Sequence, residues 1–63
     1  MRYNVVSVMP DGTLGAPLLG DWLGHPDDAF GWAQLYKDKY VGKPYPNGKG
    51  HYPWTDFIVV ILP

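Results

Sequence analysis

The sequence predicts a small α+β domain in which a three-stranded sheet carries one helix on one face. Three observations lead to this prediction: two apolar stretches with strand character, a turn signal directly after the first stretch, and a helix start signal between them. The predicted element order is ββαβ, with a mostly antiparallel sheet in strand order 2-1-3. An alternative arrangement places the last strand in the centre, which its unbroken apolar run would suit.

The first half of the predicted sheet is a hairpin. Residues 2–9 form its first strand, since β-branched residues dominate and the side chains alternate between two faces. Pro10-Asp11-Gly12 is a strong turn signal. Residues 13–19 are then the returning strand. Gly15 and Pro17 interrupt it, and because Pro donates no backbone hydrogen bond, we expect this strand to be short and at the sheet edge.

The helix is predicted over residues 26–41. Pro is favoured at the first helical position, and Asp27 and Asp28 complement the helix dipole. Gly42 and then Pro44 end the helix. The predicted apolar stripe consists of Ala29, Trp32, Ala33, Tyr36 and Tyr40, with Phe30 at its margin.

Two residues of this helix depart from the usual preferences. His25 occupies the N-cap position, where Ser, Thr, Asn or Asp is preferred. Gly31 lies in the middle of the helix, where it costs about 1 kcal/mol relative to Ala. We interpret Gly31 either as a tolerated defect or as a point where another backbone approaches closely.

The last part of the chain consists of a loop and a strand. Residues 42–54 are rich in Gly and Pro, and the Asn47-Gly48 turn signal allows an irregular hairpin between Tyr45 and Tyr52. Residues 55–62 are a predicted strand whose apolar run indicates cover on both faces. One helix covers only one face, so loop aromatics or another chain must cover the other.

Composition limits the possible classes of protein. A chain of 63 residues fits one domain, residues 1–63, and the absence of cysteine excludes disulfides and thiolate metal sites. The longest apolar run, residues 57–62, is far below the roughly 20 residues of a membrane span. We therefore expect a cytoplasmic protein without membrane association. The net charge of -1 and the pI of about 6.0 argue against nucleic acid as a partner.

The sequence carries no catalytic or metal-binding motif. Ser7, the only serine, lies within a predicted strand, and no nucleophile elbow or phosphate-binding loop occurs. The potential metal ligands have no recognisable spacing; they are His25, His51, Asp27, Asp28 and Asp56. We expect no enzymatic activity, no cofactor and no bound metal.

The aromatic residues in loops are the main candidates for a functional site. They are either additional core, anchors for a protein partner, or a stacking surface for single-stranded nucleic acid or carbohydrate. Charge is also segregated: residues 11–28 contain four Asp and no Lys or Arg, whereas Lys predominates over residues 37–49. Such a two-signed surface can orient a partner.

We therefore predict a non-enzymatic module that binds another protein. The predicted binding residues are Trp22, Leu23, Leu35, Tyr45, His51, Tyr52 and Trp54. A small, cysteine-free, aromatic-rich chain of this kind is typical of phage or mobile-element proteins, which would block or redirect a host protein. The alternatives are a homo-oligomer whose copies cover each other's sheet face or join their last strands, and a weak binder of single-stranded nucleic acid or carbohydrate.

Overall fold

The protein consists of two strands and one helix in a computed structural model that describes all 63 residues. Strand β1 spans Arg2–Val8, helix α1 spans Pro26–Tyr40, and strand β2 spans Asp56–Leu62. The two strands pair antiparallel, from Arg2↔Leu62 to Val8↔Asp56, and α1 packs on one face of the sheet. Each element is one residue shorter than predicted.

The predicted three-stranded sheet is wrong, because residues 13–19 form no strand. The turn itself is present: Gly12 has φ +87° and donates its backbone N–H to the Met9 carbonyl at 2.9 Å. The Thr13 N–H donates to the Asp11 carboxylate at 2.9 Å, and the proximity of the Thr13 hydroxyl and N–H lowers the pKa of Asp11. Beyond the turn, only one isolated bridge, Val8↔Leu14, continues the expected hairpin.

The spacing of the next hydrogen bonds explains why a ladder fails to form. The segment 14–23 follows the outer edge of β1 and contacts it through Gly15 to Ser7, Leu18 to Val5, and Leu23 to Tyr3. A ladder needs one partner residue for each residue of β1. Here the segment advances three residues from Gly15 to Leu18 and five from Leu18 to Leu23, whereas β1 advances only two residues in each interval. Pro17, which has no N–H, lies within this stretch.

Asn4 fastens the irregular segment to β1. Its side chain is fully buried, donates to the Leu19 carbonyl at 3.1 Å and accepts from the Leu19 N–H at 3.0 Å. Both backbone groups of Leu19 are thereby satisfied without a strand. Leu19 packs against the core.

The core lies between α1 and the strands and is centred on Val5, Ala33 and Phe57. Because a two-stranded sheet is narrow, it covers only the arc of the helix that contains Ala29 and Ala33, the two buried helical residues. Two residues predicted for the core stripe or its margin are exposed instead, namely Trp32 at 43% and Phe30 at 61%.

The helix ends follow local signals. His25 adopts extended dihedral angles at the N-cap, and its side chain makes no capping hydrogen bond. Pro26 takes the first helical position, as predicted. The chain leaves the helix through Gly42, whose φ of +73° is the left-handed conformation that glycine adopts without steric cost.

Candidate functional site

The structure places three of the predicted binding residues, Tyr45, Tyr52 and Trp54, in an aromatic cluster and two, Leu23 and Leu35, in a surface groove, whereas Trp22 and His51 belong to neither. The cluster contains Tyr52 and Trp54, whose rings stack on each other at 5.5 Å and 9°. Both rings meet Tyr40 of α1 edge-on, at 4.9 and 5.3 Å. Trp54 also contacts Phe57 at 5.7 Å. These loop aromatics therefore extend the core at the C-terminal end of the helix.

The loop that delivers these rings is the irregular hairpin considered above. Tyr45 donates its N–H to the Gly50 carbonyl at 2.9 Å, and an isolated bridge joins Pro44 to His51. The Tyr45 ring lies edge-on to Tyr52 at 4.8 Å, and both side chains are half-buried. His51 is exposed on this hairpin, away from the ring contacts.

The groove, called the acidic groove below, combines two other predicted residues with the exposed Trp32. It has a volume of about 440 Å³. Its lining consists of Leu23, Asp27, Asp28, Gly31, Trp32 and Leu35. Leu23 reaches it because its backbone pairs with Tyr3 through two hydrogen bonds of 2.8 Å, which hold the chain beside the helix. Trp22 is half-buried and does not line the groove.

Gly31 forms part of the groove floor. A Cβ atom built at this position would meet no other part of the chain within 4 Å. The glycine therefore costs helix stability without accommodating a neighbour within its own chain. Of the two interpretations of Gly31, close approach of a backbone from this same chain does not apply. Its missing side chain leaves open space in the groove that Trp32 and Leu35 also line.

The groove carries negative charge that the chain does not neutralise. Asp27 and Asp28 are exposed in the first turn of α1 and form no ion pair, since the one ion pair of the protein joins Lys37 to Asp56 at 3.4 Å. Carboxylates are stabilised there by the helix dipole. The groove therefore offers apolar contacts next to two carboxylates that are free to interact with cations.

Three further features of the chain bear on its function: metal ligands, membrane-spanning helices and similarity to known proteins. No three His or Asp side chains converge as a set of metal ligands. The single helix lacks the length and apolar character needed to cross a bilayer. No protein-family model, curated protein or solved structure matches this chain.

Sequence reasoning missed Trp32 as a surface residue because helical periodicity placed it on the core stripe. The signal that could have indicated otherwise is local: Gly31 and Leu35 lie one turn apart on the helix, and Trp32 directly follows Gly31.

Proposed function

We propose that the protein is a non-enzymatic protein-binding module whose acidic groove receives a large apolar side chain flanked by Lys or Arg. The observation that carries this proposal is the exposure of Trp32 and Leu35, at 43% and 52%, in one groove that Gly31 also lines. Exposed apolar patches with a polar rim mark interaction sites. Trp is also among the residues that contribute most to binding energy.

Charge supports the class of partner. Asp27 and Asp28 border the apolar lining and lack a cationic neighbour within the chain. A basic residue on either side of the apolar anchor would complement them and orient the partner. The irregular hairpin that contains Tyr52 has less support as a stacking surface for nucleic acid or carbohydrate, because the rings of Tyr52 and Trp54 already stack on each other.

The test is selection of short peptides from a displayed random library on the wild-type protein. We expect enriched peptides to share one large apolar residue flanked by Lys or Arg. Their affinities are then measured by fluorescence anisotropy for Trp32→Ala and Leu35→Ala. We expect each variant to weaken binding by about 30-fold, because truncating such an anchor costs about 2 kcal/mol.

The matched control is Leu14→Ala, since Leu14 is 50% exposed but lies outside the groove. This variant should bind the selected peptides as the wild type does. A second arm replaces Asp27 and Asp28 by Asn, which should weaken binding and flatten its dependence on salt. Peptides without basic residues, or equal binding by all variants, would contradict the proposal.

A further inference from the structure

The free edge of β2 is an unprotected sheet edge. β1 is covered along both edges, by β2 on one side and by the segment 14–23 on the other, whereas nothing pairs with the outer edge of β2. Proteins protect such edges with Lys, Pro, bulges or an overlying loop. Residues 57–62 contain no charge and no Pro, and the ladder with β1 is regular.

The hydrogen-bonding groups of this edge follow from the pattern on β1. Tyr3 and Val5 direct backbone groups away from β2, towards Leu23 and Leu18. Their partners across the ladder are Ile61 and Val59. Because both residues of such a pair point their backbone groups away from each other, the N–H and C=O of Val59 and Ile61 face the open edge.

At each end of the open edge, the backbone lacks a free N–H donor. The Phe57 N–H donates to the Asp56 carboxylate of its own chain at 2.8 Å. Pro63, two residues beyond Ile61, has no N–H. Only Val59 and Ile61 therefore offer both a donor and an acceptor, which fits a short antiparallel pairing that uses these two residues.

Apolar side chains accompany the same edge. A second groove, called the β2 groove, has a volume of about 360 Å³ between α1 and β2. Phe30 and Val59 both line it. Phe30 and Ile61 are 61% and 59% exposed. The β2 groove shares no lining residue with the acidic groove.

We propose that β2 pairs antiparallel with β2 of a second copy of this chain about a two-fold axis at Val60. Val59 of each copy then exchanges hydrogen bonds with Ile61 of the other, and Val60 lies opposite Val60. The axis is perpendicular to the sheet, so both helices lie on one face. Ile61 of one copy then covers Val59 and Phe30 of the other.

Charge favours a second copy as the occupant. The charged residues beside the edge, Lys37 and Asp56, already neutralise each other within one chain. Two copies of β2 can therefore pair without like-charge repulsion. The two-fold axis gives the backbone groups of the open edge their partners and covers the exposed side chains of Phe30 and Ile61. This interface goes beyond the proposed function, because each copy keeps its acidic groove exposed.

The first experiment tests the register through a disulfide, using the absence of native cysteine. In this pairing Val60 and its symmetry mate occupy a non-hydrogen-bonded pair, whose Cα atoms are about 4.5 Å apart, within disulfide range. We expect Val60→Cys to form a covalent dimer on mild oxidation. Leu62→Cys is the control, because Leu62 is 45% exposed but lies opposite Ile58 of the other copy.

The second experiment measures mass by light scattering coupled to size exclusion across a concentration series. The wild type should approach twice the 7.1 kDa of one chain, and Ile61→Lys should raise the dimer dissociation constant at least tenfold. Leu14→Lys, at a site of similar exposure, should behave as the wild type. Circular dichroism verifies folding of each variant.

Three outcomes overturn the proposal. The first is a wild type that stays at 7.1 kDa at every concentration. The second is dimerisation that Ile61→Lys leaves unchanged, which would place the contact elsewhere. The third is a Leu62→Cys dimer that forms as fast as the Val60→Cys dimer, which would indicate random collision or another register. Peptide binding by Ile61→Lys, measured in parallel, separates this interface from the acidic groove.

Discussion

At the scale of single residues, the Asn4 side chain makes the hydrogen bonds that a third strand would otherwise make with the segment around Leu19. The segment around Leu19 cannot form a ladder, yet its backbone groups lie beside β1 and need partners. One amide side chain supplies both a donor and an acceptor to Leu19, and its oxygen also accepts from the N–H of Val5 at 2.8 Å. A buried polar side chain therefore holds this edge of β1 together with the backbone hydrogen bonds of Gly15, Leu18 and Leu23.

Replacing Asn4 by Ala should lower the free energy of unfolding by about 1–3 kcal/mol, because the backbone groups of the half-buried Leu19 lose their partners and the buried amide leaves a cavity. Denaturant unfolding followed by circular dichroism measures this. Asn47→Ala is the control, since the Asn47 side chain accepts one hydrogen bond, from the Lys49 N–H, at the surface. Equal losses for the two variants would contradict a special role for Asn4.

Gly15 and Ser7 form a second contact that belongs to this scale. A Cβ atom on Gly15 would clash with the Ser7 hydroxyl oxygen, but it would lie 3.7 Å from the Ser7 Cβ. We therefore expect Gly15→Ala to destabilise the wild type and to be tolerated better in a Ser7→Ala background. A double-mutant cycle should give a coupling of about 1 kcal/mol. Additive effects would contradict this coupling and would show that the clash is relieved in another way, by rotation of the Ser7 side chain or by a shift of the backbone.

At the scale of elements, α1, β1 and β2 were predictable from local patterns: α1 and β1 alternate apolar and polar residues with a regular period, and β2 is an unbroken apolar run. Pro26, Gly42 and the β-branched residues of β1 act through nearby backbone, so a single sequence contains their information. The path of residues 14–23 depends instead on the edge of β1 and on Asn4. The exposure of Trp32 and Phe30 depends on the width of the sheet. Both of these are properties of the assembled fold.

Gly31→Ala should raise the free energy of unfolding by about 1 kcal/mol, since Ala favours the helix and the new methyl group meets nothing in the chain. The same substitution should weaken binding of the selected peptides, because its methyl group occupies part of the acidic groove that Trp32 and Leu35 also line. Thermal unfolding and anisotropy measure the two effects. Added stability with unchanged peptide affinity would argue that partners do not reach the groove floor.

At the scale of the whole molecule, the aromatic cluster enlarges the core of a small chain that has no disulfide to stabilise it. The loop rings join Tyr40 and Phe57, so a chain of 63 residues gains apolar bulk where its sheet is narrow. The sequence identified these rings but left open whether they were core or interface, because a loop has no periodicity that assigns a face. The groove residues Leu23 and Leu35 were predicted, whereas the meeting of these residues with Trp32 required the fold.

Trp54→Ala should lower the free energy of unfolding by about 3 kcal/mol, as truncation of a large aromatic residue in a core does. The total free energy of unfolding of small domains is about 5–15 kcal/mol, so a loss of this size should lower the melting temperature by well over 10 °C. Leu14→Ala, at an exposed site, should change little. A Trp54→Ala variant as stable as Leu14→Ala would mean that the cluster contributes no core.

The ladder between β1 and β2 also determines how the chain can fold. Its pairs run from Val8↔Asp56 to Arg2↔Leu62, so every one of them closes a loop of about 50 residues or more. Helix α1 forms from local contacts within about a microsecond, and its Tyr40 can pack on Tyr52 and Trp54 before the strands meet. The pairing of the two strands then closes the long loop, so we expect this encounter to limit the folding rate, as it does in proteins of high contact order. Substitutions that weaken the encounter should slow folding, whereas those on the outer face of α1 should mainly change the unfolding rate.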